Sequence, residues 1–132
     1  MRMMRLAAGL ALCLGMAGCL SDQRWEGRAD RCSGGVEWNL IMLLDWPVGP
    51  VVTGWWGIAL NGRQDVFQMA PIESSTNMFG TLKFDSVFQS GNSTTRWKVE
   101  LKHGPMGGDY EGDVEILGSS STIRCDAKLS AE

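Results

Sequence analysis

The chain has 132 residues, 12 Lys/Arg against 15 Asp/Glu, 17 glycines and six tryptophans. That length suits one small domain. The acidic balance lacks the basic footprint of a nucleic-acid binder and excludes that partner class.

Met1 to Arg5 holds two arginines and no acid, Leu6 to Gly18 is an unbroken run of apolar and small residues, and Met16-Ala17-Gly18-Cys19 closes the block. About twenty apolar residues are needed to span a bilayer, and this run is shorter. A cationic start, a short apolar stretch and a small-residue site make a secretory signal. Ala17-Gly18-Cys19 resembles the lipobox of bacterial lipoproteins. The resemblance implies that Cys19 carries acyl chains such as palmitate, becomes the new N-terminus and holds the protein to a membrane. Leu20 stands where an acid would mark inner-membrane retention in that family, so the implied destination is the outer membrane. The expected organisation is a signal peptide over 1–18, a lipidated cysteine and tether over 19–24, and one domain over 25–132. Leu20 to Arg24 reaches at most about 17 Å. The domain therefore sits against the membrane.

With Cys13 removed in the signal and Cys19 acylated, Cys32 and Cys125 remain, and two thiols in an exported chain are expected to form a disulfide. No stretch after Cys19 sustains a capped 3.6-residue apolar period, so the domain is expected to be all-β. Trp25 to Arg31 is a first strand, ended by Ser33-Gly34-Gly35. Val36 to Trp46 alternates, with Trp38, Leu40, Met42 and Leu44 on one parity. Pro47 to Pro50 is a turn, Val51 to Leu60 a third strand, and Asn61-Gly62 a tight-hairpin signal. Gln64 to Ile72 follows, Glu73 to Asn77 is expected as loop, Met78 to Phe88 as strand, and Gln89 to Thr94 as polar loop. Trp97, Val99 and Leu101 share a face, as do Tyr110, Val114 and Ile116, then Ile123, Cys125, Ala127 and Leu129.

A disulfide between Cys32, after the first strand, and Cys125, in the last, brings the two ends of the domain together. About eight short strands so stapled predict a small antiparallel barrel, with a β-sandwich as the alternative. Large residue–x–glycine patterns at Trp25, Trp55, Met78 and Tyr110 suggest strong coiling.

Few features point to chemistry. Asp109, Glu111, Asp113 and Glu115 form an acidic row on one strand face. Alternate residues lie about 7 Å apart, too far for one ion's shell, so the row reads as a surface or a contact for a cationic partner. If Lys102 pairs with Asp109, Lys98 meets Asp113 and Arg96 meets Glu115. His103, the sole histidine, is expected in a solvated loop. A catalytic role would need an acid such as Asp109 beside it, and no nucleophile motif is present. No metal or cofactor is expected. Trp55 and Trp56 must point to opposite faces, so one indole is in the core and the other is a candidate contact. In plan the chain is similar to the membrane-bound inhibitors of c-type lysozyme, small disulfide-linked barrels behind a lipobox. Their Ser-Gly-x-x-Tyr loop has no counterpart, because Ser90-Gly91-Asn92 lacks the aromatic. The expected function is a non-enzymatic lipoprotein whose barrel binds an envelope protein or other envelope component. The alternative is a carrier of a small apolar ligand in the lumen.

Overall fold

Alternating apolar residues turn one face of most strands inward, and nine strands surround a single core. The computed structural model describes residues 23–45, 49–60, 66–104 and 107–131. The strands are β1 (Gln23–Asp30), β2 (Trp38–Leu44), β3 (Gly54–Leu60), β4 (Gln68–Pro71), β5 (Glu73–Met78), β6 (Thr81–Ser90), β7 (Ser93–Gly104), β8 (Gly107–Leu117) and β9 (Thr122–Ala131). They form one antiparallel sheet in the order β4-β3-β2-β1-β9-β8-β7-β6-β5. The last strand pairs with the first, Gly27 opposite Leu129. The result is a nearly closed antiparallel barrel. Cys19, Trp46 and the Asn61-Gly62 turn signal lie outside the described residues.

β4 and β5 are two halves of one bent strand. The first half pairs with β3 and the second with β6. The register shifts between Glu73 and Thr76, and Ser74 sits at φ 53°. Polar side chains span the seam left by the bend. Ser86, fully buried, donates from Oγ to the Pro71 carbonyl at 3.0 Å. The Ser75 hydroxyl accepts from the Val52 amide at 2.7 Å and donates to the Val52 carbonyl. This corrects the loop expected over Glu73 to Asn77. The segment lacks apolar alternation because hydrogen bonds, rather than a buried face, hold it to its neighbours.

Four further expectations are revised. Met78 to Phe88 is broken by a turn at Phe79-Gly80, and Gln89 to Thr94 is mostly strand, with its turn confined to Gly91-Asn92. β1 starts at Gln23, inside the stretch read as tether. The β7–β8 register changes between Gly104↔Gly107 and Lys102↔Glu111, so Lys98 opposes Glu115 rather than Asp113 and Arg96 opposes Leu117. A shift of two residues moves the charge pairs but keeps every side chain on its own face.

The interior is filled at mid-height. Trp56, Trp97, Phe84, Leu40, Met42, Leu82, Leu101 and Leu129 are all fully buried. Trp56 meets Phe84 edge-on at 5.4 Å and lies 6.0 Å from Trp97, the offset geometry aromatic pairs favour. A Cβ on Gly27 would strike the Lys128 carbonyl and one on Gly112 the Glu100 carbonyl, so neighbouring strands approach there as only glycine allows. Trp25 and Tyr110, each two residues from one of these glycines, pack edge-to-face at 5.1 Å.

Cys32 and Cys125 form a disulfide across 93 residues of sequence. Beside it, the Ser33 amide donates to the Arg124 carbonyl at 2.9 Å, and the Arg124 amide donates to Ser33 Oγ at 3.0 Å. Together they continue the β1–β9 seam past the end of β1.

Candidate functional site

Strand direction gives the barrel two ends. At one, β1, β3, β6 and β8 begin; at the other, β2, β4, β7 and β9 begin. The second end, which carries the disulfide, opens into an apolar cup of about 550 Å³. Ile58, Phe88 and Trp97 on three strands turn inward beneath it, with Ile116 and Ile123 from β8 and β9. Leu60 and Val66, 45% and 56% exposed, stand on its rim. Trp97 makes the floor, meeting Trp38 edge-on at 5.4 Å and Phe88 at 6.3 Å.

The indole N–H groups of Trp38 and Trp97 are buried and have no hydrogen-bond partner among the described residues; Trp56 is in the same position deeper in the barrel. Leaving a buried donor unmade costs roughly 1–3 kcal/mol. Trp25, at the other end, shows the ordinary solution by donating to the Gly108 carbonyl at 2.9 Å. These donors are sealed beneath the cup's surface, so what the cup itself presents is an apolar wall. Such a mouth suits an apolar group.

The residues singled out from sequence are spread over other places. Trp56 is in the core, and Trp55 faces outward, 45% exposed. Trp55 stands between Leu43 of β2 and Pro71 of β4, and in the next row Met69 packs on Gly57 beside buried Ile41. These side chains make an apolar band on the outer wall.

The acidic row lies on the outside of β8, and two of its members pair with β9. Glu115 meets Arg124 at 2.8 Å and Glu111 meets Lys128 at 3.4 Å. Asp113 lies between Glu100 and Asp126, whose charges are met by Lys83 at 3.7 Å and Arg31 at 3.7 Å. Asp109 is exposed. No group of three potential metal ligands converges among the described residues.

His103 is not a solvated loop residue as expected; it is the penultimate residue of β7 and is held. Its Nδ1–H donates to the Gly104 carbonyl at 2.9 Å, Nε2 is 2.7 Å from Asn77 Oδ1, and the ring lies tilted against Tyr110 with centroids 5.0 Å apart. Burial pushes the Tyr110 phenol above its ordinary value. These contacts brace a strand end and engage both ring nitrogens.

The cup has no signature in the sequence, because its walls come from seven strands and the β3–β4 connection. The inward parity of Trp38, Trp97 and Ile123 was the only available clue. No protein-family model, no curated protein and no solved structure matches the chain.

Proposed function

We propose that the chain is a non-enzymatic lipoprotein of the outer membrane, anchored through Cys19, whose barrel binds an envelope component at the apolar cup. The observation that carries the binding reading is the apolar mouth itself, floored by Trp97 and rimmed by the exposed Leu60 and Val66. The ligand chemistry it fits is an apolar group, such as an acyl chain. The filled mid-barrel argues against a ligand swallowed whole in the lumen and for one inserted at the mouth. A neutral acyl ester, monodecanoyl glycerol, tests this through the tryptophan fluorescence of the full chain. Saturable binding is expected. Leu60→Glu on the exposed rim should weaken it at least about tenfold, since a charge beside an apolar ligand must be desolvated. No saturable change in the unsubstituted chain would remove the cup reading.

A second reading rests on Trp55. An exposed indole flanked by Leu43, Pro71 and Met69 is the kind of anchor found at the centre of protein interfaces, and would serve a protein partner. Trp55→Ala weakening capture of an envelope protein while leaving ester binding intact would favour it.

A further inference from the structure

We propose that the end of the barrel opposite the cup is a membrane-contact face, with Phe79 as a wedge into the bilayer interface. Phe79 is the most exposed large apolar residue described, at 98%. It forms the two-residue tip of the β5–β6 hairpin with Gly80, at φ 57° and 75°. A turn with both residues in the left-handed region normally holds Asn-Gly, and a bulky side chain is an outlier there. Phenylalanine at this position is thus unfavourable both for the backbone and for solvation. An outlier of this kind, held in place by its surroundings, points to function.

The tip is held. The His103 amide donates to the Gly80 carbonyl at 2.9 Å, His103 Nε2 meets the Asn77 side chain, and the Asn77 amide donates to the Pro50 carbonyl at 2.9 Å. The last bond brings Val51, 66% exposed, to the same end as Met78, 51% exposed, and Phe79. Three exposed apolar residues so braced make a shallow apolar tip. Half-buried Asp45 and exposed Asp109 at this end limit the contact to the interface rather than the bilayer core.

The occupant follows from where the chain outside the described barrel leads. β1 begins at Gln23 at this same end, and Cys19 lies four residues before it, within about 14 Å at full extension. The inference rests on the proposed Cys19 anchor: a chain held there on so short a leash must press this end, and not the cup, against the bilayer. Apolar side chains at such a contact enter the headgroup–acyl boundary.

The test uses the full chain reconstituted in phosphatidylethanolamine–phosphatidylglycerol vesicles containing doxyl-labelled lipid. An environment-sensitive fluorophore is placed at Met78→Cys, and in a separate chain at Ser119→Cys on the opposite end; the unsubstituted chain corrects for any label elsewhere. Several-fold stronger quenching at 78 than at 119 is expected, falling toward the 119 level when Phe79→Asn is added. Equal quenching at the two positions, or no effect of Phe79→Asn, overturns the inference. Labelled palmitate incorporation, compared with Cys19→Ala, judges the anchor separately. An acylated chain with position 78 unquenched sinks the contact face alone. An unacylated chain with position 78 quenched supports the contact face and sinks the anchor.

Discussion

The two ends of this barrel are built from the same strands yet satisfy their polar groups in opposite ways. At the end where β1 begins, Trp25 donates to Gly108, His103 is held by Gly104 and Asn77, and Tyr110 covers both rings. At the other end, Trp38 and Trp97 keep buried donors without partners beneath an apolar cup, and the Cys32–Cys125 disulfide with the Ser33–Arg124 bonds beside it holds the rim. A fold under no demand except stability would finish both ends as it finishes the first. That contrast is what the proposed binding role of the open end would require.

The largest effect should come from removing the staple at the open end. In the chain-entropy model a bridge over 93 residues stabilises by roughly 4–5 kcal/mol, less any native strain. Cys32→Ser with Cys125→Ser should therefore lower Tm by on the order of 20 °C in a domain of this size. A fall of only a few degrees would show that the cup end is held mainly by packing.

A smaller effect separates the indoles directly. Trp25→Phe and Trp38→Phe delete the same ring atoms, but only the first deletes a hydrogen bond. Trp25→Phe should cost about 1 kcal/mol more in denaturant unfolding, the net worth of a typical bond. Equal losses would erase the contrast between the ends.

The third effect has the opposite sign. Phe79→Asn replaces a bulky residue at φ 57° with one that tolerates the left-handed region, and should stabilise the barrel by about 1 kcal/mol. Tm would rise by several degrees. A loss of stability would mean that Phe79 packs within the protein, which would also weaken its role as a wedge.

Much of this architecture was legible beforehand, and what was missed has physical reasons. The parity of Trp97, Val99 and Leu101, and of Cys125, Ala127 and Leu129, is enough to define inward faces, and the two remaining cysteines imply that first and last strands meet. β5 escaped notice because Ser74, Ser75, Thr76 and Asn77 bury no apolar side and are held by hydrogen bonds alone. The Phe79-Gly80 turn was hidden because a phenylalanine followed by glycine reads as strand when the positive φ is unknown. The β7–β8 charge pairs were misplaced by an irregularity beside His103 that leaves alternation intact. The cup depends on how many strands converge, which no local pattern records.

The most direct test of the central claim, that the open end is the binding end, is fluorine NMR of the full chain labelled with 5-fluorotryptophan. On adding monodecanoyl glycerol, the Trp38 and Trp97 resonances should shift together and saturably, while Trp25, already bonded to Gly108, stays in place. Shifts at Trp25, or none at Trp38 and Trp97 across the titration, would contradict it.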